Sequence, residues 1–330
     1  MPTSSDVLAR APVKALDTRL LSPHVGVEVI GLDFDQPVSA AVEQQLQALW
    51  VEFGLVLFRG GAASEEAHLR LSGCFGPLQA SAHGTKGGFN ARNELLLDVS
   101  YNPDRPERAN SIVYRANGQD RAGYIGWHWD QSFMPKMVHG GALRMIEPSA
   151  QAGETGFIDA IGAYRRLPER LKARIEGLEV VYAYTTRMET NRYGFPADFD
   201  VVRRADNLKL PSFEPVVHPL VFTQPQTGRK VLNLSPMHCK HILGVSAEES
   251  DEILREVTAC LTDEAFAYFH KWAANDVIVW DNWRIIHQAA GVPPECRRRA
   301  VRTTITGDYG LGRYLDPAAD EAAAPTPIGD

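Results

Sequence analysis

Residues 141–160 read GALRMIEPSAQAGETGFIDA: an apolar run of strand length, a segment with Pro, Ser and Gly, and a second short apolar run. Runs this short between turn formers suit strands, because an amphipathic helix needs ten or more periodic positions. The same punctuation continues outward through EVVYAYTT (179–186), VVHPLVFT (216–223), KVLNLS (230–235), AFAYFHKW (265–272), DVIVWD (276–281) and RRAVRTTITGDY (298–309). Thr227-Gly228-Arg229, between two of these runs, predicts a hairpin turn. No GxGxxG follows a strand and no GxxxxGK[ST] occurs, so nucleotide-binding folds lose support. Many short strands with few helices predict a mainly β chain with flanking helices, a sandwich or jelly-roll barrel rather than a doubly wound sheet.

Upstream, VGVEVIGLDF (25–34) reads as a strand, and Pro37-Val38-Ser39 introduces a helix with Ser39 as its N-cap. Val42, Leu46, Leu49, Trp50 and Phe53 fall at helical spacing, Gly54 stands at the C′ position, and LVLFRG (55–60) follows as a buried strand. A second helix is announced by the capping box Ser246-Ala247-Glu248-Glu249, with Ile253, Leu254, Val257 and Leu261 on one face. These features read as scaffold rather than site.

Of the 330 residues, 44% are hydrophobic and 23% charged, enough apolar material for a substantial core and too much for disorder. The net charge of −7 offers no broad basic surface, so no nucleic-acid partner is expected. No apolar run approaches the roughly 20 residues of a membrane helix, and the first residues lack an apolar signal core. Cys74, Cys239, Cys260 and Cys296 are scattered, which suits reduced thiols and a cytoplasmic protein. Residues 1–20 are expected to form a flexible lead-in, 21–315 a single domain and 316–330 a flexible tail; a homo-oligomer is left open.

The densest chemical signal is Gly126-Trp127-His128-Trp129-Asp130. In a strand, residues i and i+2 project together, so His128 and Asp130 share a face. They form two thirds of a 2-His-1-carboxylate triad, which leaves positions on Fe(II) open for a chelating cosubstrate and O2. Alone, HxD is a weak motif; a hydrogen-bonded core histidine is the competing reading. His287 ends an apolar strand region and is a candidate third ligand. Downstream, Arg298 and Arg302 would share one strand face, about 13 Å apart. They read either as a solvated basic edge or as two anion-binding forks at opposite ends of one site.

Taken together, VGVEVIGLDFDQP, FGLVLFRG, CFGPL (74–78), WHWDQSF (127–133), GETGFID (153–159), HPLVFTQPQTGRKVLNL (218–234) and WDNWRIIHQA (281–290) resemble, in order and spacing, one known family. It is the taurine dioxygenase and chlorophenoxyacetate dioxygenase family of Fe(II)/2-oxoglutarate-dependent oxygenases, and the likeness runs from about Leu21 to Asp308. The resemblance implies a double-stranded β-helix (jelly-roll, cupin-like) core and His128, Asp130 and His287 as iron ligands. It implies that Thr155 and Arg298 bind 2-oxoglutarate, and that Arg302 lies near a substrate anion. The implied reaction consumes 2-oxoglutarate and O2, releases succinate and CO2, and oxidises a substrate C–H bond, most simply by hydroxylation.

Trp129 replaces the family's usual threonine and is expected to form a wall beside the ligands. Ser81 falls where the taurine enzyme has its sulfonate-binding histidine, and His83 lies two residues away; both are candidate substrate contacts. Tyr184, Tyr193, Phe195 and Phe199 are lid candidates. These departures favour a bulkier carboxylate over taurine. The rival readings are a non-catalytic metal-binding or sensor jelly roll and a Zn(II) hydrolase with the same ligands. Neither needs a 2-oxoglutarate clamp.

Overall fold

The structure is a computed structural model that describes residues 15–80, 89–90, 93–105, 112–185, 187–204, 212–307 and 310–319. Two sheets face each other. Among the described residues the larger has nine strands, and its central order is Leu55–Phe58, Val277–Asp281, Gly140–Glu147, Arg299–Ile305 and Asn93–Asp98, all antiparallel neighbours. The smaller runs Tyr268–His270, Thr155–Asp159, Ile285–Ala289 and Ile125–His128, also antiparallel.

Alternation along these strands sorts the core into three layers. Between the sheets, Leu55, Leu57, Leu143, Met145, Ile278, Trp280 and Ala300 meet Phe157 and Ile285. Behind the larger sheet, Val56, Phe58, Val277 and Val279 pack on Leu46, Trp50 and Leu71, carried by the helices Ala40–Phe53 and Glu65–Gly73. Behind the smaller sheet, Trp127, Ile158 and Ile286 pack on Ile161, Leu171, Ile253, Leu254, Val257 and Leu261. Burying each such aliphatic side chain contributes about 1.5–3 kcal/mol, so the sheets are held from both faces. This is the expected jelly roll.

The two expected helices form with their expected caps. Ser39 accepts from the Val42 N–H, and Gly54, at φ 71°, donates to Trp50 O. The buried Arg284 then covers the last turn, donating to Val51 O and Glu52 O. Ser246 accepts from the Glu249 N–H to start Ala247–Leu261. The 227–229 hairpin forms between Val221–Thr223 and Lys230–Leu232, with Gly228 at φ 67°.

Some boundaries differ from expectation. Asp17–Leu20, assigned to the lead-in, is a strand paired with Val27–Ile30. AFAYFHKW divides into a 3-10 turn, Glu264–Phe266, and the strand Tyr268–His270. Three short helices, Glu65–Gly73, Ala160–Arg166 and Glu169–Ile175, were not foreseen. The second begins directly on the strand GFID, where the Asp159 carboxylate caps the Ile161 N–H. All four cysteines lack disulfides, and no described helix is long and apolar enough to cross a membrane.

Candidate metal centre

Strand register builds the site. His128 and His287 are direct partners across the smaller sheet, which sets their rings 4.2 Å apart. Asp130 lies just past the strand end and projects between them. Its Oδ1 is 3.8 Å from His128 Nε2 and its Oδ2 is 3.7 Å from His287 Nε2. These separations exceed hydrogen-bond range, so the three donors converge without satisfying one another. His128 Nδ1 is 2.8 Å from Gly126 O; the carbonyl can only accept, so Nδ1 carries the proton and Nε2 turns its lone pair inward. All three side chains are buried, with ligand atoms within 4.8 Å of each other.

The protonation states suit a cation. Burial lowers both imidazoles, His287 to about 3, so they stay neutral at pH 7. Burial would raise the Asp130 carboxyl, but the Arg302 guanidinium beside it holds it well below the usual range. Two neutral nitrogens and one carboxylate form the donor set that hard-to-borderline divalent ions such as Fe(II) accept. The residues present therefore fit the ion that the sequence implies.

Asn282, fully buried, fixes Asp130 from behind. Its Oδ1 accepts the Asp130 N–H at 2.9 Å, and its Nδ2 donates to Asp130 O at 2.9 Å and Val138 O at 3.2 Å. In the sequence it stands within WDNWRIIHQA, where no motif assigns it a role. The adjacency to Asp281 and a turn was the available signal.

Thr155 lies on the inner face with Phe157, which is paired in register with His287. Trp272 Nε1 donates to Thr155 Oγ1 at 3.0 Å, a contact the sequence reading missed. Arg298 runs past Gly153, where an added Cβ would sit 3.8 Å from its Cδ. Burial lowers its guanidinium to about 10, and no carboxylate pairs with it among the described residues. Its Nη1 reaches only Val99 O, at 3.4 Å, and its Nε has no partner among the described residues. The side chain is half-buried with its Nε enclosed, and a cation withdrawn from water in this way without an anion marks a place for one.

Arg302, expected at a substrate anion, donates from Nη1 to Asp130 Oδ1 at 2.7 Å. The shared strand face does point it inward, but the nearest anion there is the ligand carboxylate. Trp129 also departs from expectation. It is 1% exposed and belongs to the cluster behind the smaller sheet with Met137, Tyr182 and Leu234. It lies between His128 and Asp130, just past the strand end, and its side chain packs away from the site. Of the lid candidates, Tyr184 packs on Phe133, three residues beyond Asp130. Tyr193 is bound to Asp251, and Phe195 and Phe199 pack against each other, Phe199 on Tyr114. Ser81 and His83 lie outside the described residues.

The profile of the family described as "Taurine catabolism dioxygenase TauD, TfdA family" matches residues 17–304. The chain belongs to that family. It is 26% identical to the alpha-ketoglutarate-dependent 2,4-dichlorophenoxyacetate dioxygenase of Cupriavidus pinatubonensis, over 87% of this chain and 96% of that one. It is 27% identical to pentalenolactone F synthase of Streptomyces avermitilis, over 89% and 94%. A taurine dioxygenase structure from Burkholderia xenovorans superposes with a TM-score of 0.69 at 23% identity, covering 94% of this chain and 100% of that one. AAD-2, solved with Mn(II) and N-oxalylglycine, gives 0.67 at 24% identity, covering 89% and 98%. This TauD/TfdA protein is thus an oxidoreductase of the alpha-ketoglutarate-dependent dioxygenase class, which uses Fe(II), 2-oxoglutarate and O2. The sensor and Zn(II) hydrolase readings fall away.

Proposed function

We propose that this enzyme oxidises, most simply hydroxylates, a C–H bond of a small anionic molecule that carries a carboxylate. His128, Asp130 and His287 would hold the iron, and Arg298 with the Thr155 hydroxyl would hold the distal carboxylate of 2-oxoglutarate. When bound, iron and 2-oxoglutarate together supply O2 activation, with succinate and CO2 as coproducts. The observation that carries the reading is the half-buried Arg298 side chain, whose Nε is buried without a partner and whose guanidinium has no protein carboxylate to neutralise it among the described residues.

The protein's own part is positional and electrostatic. Asn282 fixes the Asp130 main chain, the Gly126 carbonyl fixes the His128 tautomer, and Arg302 keeps Asp130 ionised. Arg302 Nε is buried without a partner among the described residues, so the guanidinium can brace Asp130 and still offer a donor to a substrate anion. The relatives' names support an anionic substrate: one acts on a chlorophenoxyacetate and another, from Pseudomonas putida, on sulfate esters. Ser81 and His83 remain part of the proposal as substrate contacts. So do a single catalytic domain up to about residue 315, its start moved from 21 to the strand at Asp17, and a cytoplasmic enzyme without nucleic-acid or membrane partners. The test is substrate-stimulated 2-oxoglutarate consumption by iron-loaded protein against matched aryl and alkyl carboxylates, sulfonates and sulfate esters. Stimulation by carboxylates is expected; stimulation confined to sulfonates or sulfate esters would overturn the substrate class.

A further inference from the structure

Trp272 stands on the turn that joins Tyr268–His270 to Val277–Asp281, and the sequence reading gave it no role. Its orientation is fixed by a chain of buried polar contacts. Asp276, 1% exposed, accepts from Ala273 N at 2.9 Å, Gly60 N at 3.1 Å and Arg59 Nη1 at 2.6 Å. It also faces His270 Nε2 at 3.2 Å. A carboxylate only accepts, so His270 carries its proton on Nε2, and its Nδ1 accepts the Tyr268 hydroxyl at 2.8 Å. The imidazole, thus locked and 0% exposed, meets the Trp272 indole edge-on at 4.5 Å and 85°. His270 is also the direct strand partner of Thr155, so the indole two residues later is delivered to the Thr155 side chain.

The hydrogen bond between them has a direction. Indole Nε1 can only donate, so Thr155 Oγ1 accepts at 3.0 Å and keeps its own O–H as a donor. We propose that Trp272 is a positioning residue for the cosubstrate: its N–H occupies the acceptor side of the Thr155 hydroxyl and turns the O–H toward the distal carboxylate of 2-oxoglutarate. Accepting one hydrogen bond strengthens the one the hydroxyl donates. The inference rests on the reading that Thr155 and Arg298 bind that carboxylate.

The test is calorimetric binding of 2-oxoglutarate to Mn(II)-loaded protein, for wild type, Trp272→Phe, Thr155→Val and the double variant. Phenylalanine keeps the packing and loses the N–H. Trp272→Phe should weaken 2-oxoglutarate about three- to tenfold, the weight of one hydrogen bond, without changing Mn(II) affinity. Thr155→Val should weaken it at least as much, and the double variant should match Thr155→Val within about twofold. With 2-oxobutyrate, which lacks the distal carboxylate, the Trp272→Phe effect should vanish. If Thr155→Val weakens 2-oxoglutarate but Trp272→Phe does not, or if the two effects multiply, the positioning role is overturned. If Thr155→Val leaves 2-oxoglutarate affinity unchanged, the Thr155 assignment itself fails.

Discussion

Replacing Asn282 with alanine removes the side chain that holds Asp130 at the metal centre. Three main-chain groups lose their partner: Asp130 N–H, Asp130 C=O and Val138 C=O. Each stranded buried group costs about 1–3 kcal/mol, and water entering the space left by the amide recovers part of it. The expected destabilisation of the metal-free protein is therefore about 3–5 kcal/mol, a large share of a typical stability but less than the whole. Asp130 keeps its ion pair with Arg302 yet loses its fixed backbone, so metal affinity should fall about 10- to 100-fold, as for other outer partners of metal ligands. Asn282→Asp should be no milder than alanine, because the oxygen that replaces Nδ2 faces the Asp130 and Val138 carbonyls, acceptor against acceptor, in a fully buried site. Urea titration of the metal-free variants and competition binding of Mn(II) measure the two effects. A stability within about 1 kcal/mol of wild type, with unchanged metal affinity, would refute the reasoning.

Arg298→Ala should raise the 2-oxoglutarate requirement about 30-fold or more while leaving iron affinity nearly unchanged, and lysine should rescue only in part. Unchanged 2-oxoglutarate affinity in the alanine variant would count against the clamp. Arg302→Ala should weaken iron binding as well as coupling to substrate, since Arg302 pairs with Asp130; intact iron affinity in a direct titration would contradict that. Burial holds His68, His139 and His218 down to about 4, against an ordinary 6.5. The unfolded chain then binds more protons, so stability is full above pH 6.5 and falls as pH drops toward 4, by about 1.4 kcal/mol per pH unit for each histidine. By pH 5 each has cost about 2 kcal/mol, so urea midpoints should drop steeply between pH 6.5 and 5; a flat profile would contradict the buried neutral assignment.

His128 and Asp130 could be paired from the sequence because an i, i+2 relation is local, although the strand ends at His128 and Asp130 lies in the following turn, while His287 was assigned through the family resemblance. Trp129 lies beyond the strand, and its direction is set by packing in the cluster behind the smaller sheet. Capped helices were legible from Ser39, Gly54 and Ser246, each a side chain or backbone preference acting within four residues. Asn282 and Trp272 were not, because they act on partners 152 and 117 residues away, brought together only by sheet pairing. Arg302 shows the limit of a motif. Its position on the inner face could be read from the sequence, but its partner depends on how far Asp130 projects from a neighbouring sheet. The helix Ala160–Arg166 was hidden by continuity, since its first residues complete the apolar run of the preceding strand.

The central claim is tested most directly by anaerobically loading the protein with Fe(II), adding 2-oxoglutarate and O2, and measuring succinate with and without candidate anionic substrates. The wild-type protein should form succinate in one-to-one ratio with the 2-oxoglutarate consumed, only with iron and faster with substrate. His128→Ala and Asp130→Ala should form essentially none while remaining folded. Succinate formation at wild-type rate by both variants, or no 2-oxoglutarate consumption by iron-loaded wild type with any carboxylate, sulfonate or sulfate ester, would contradict the account.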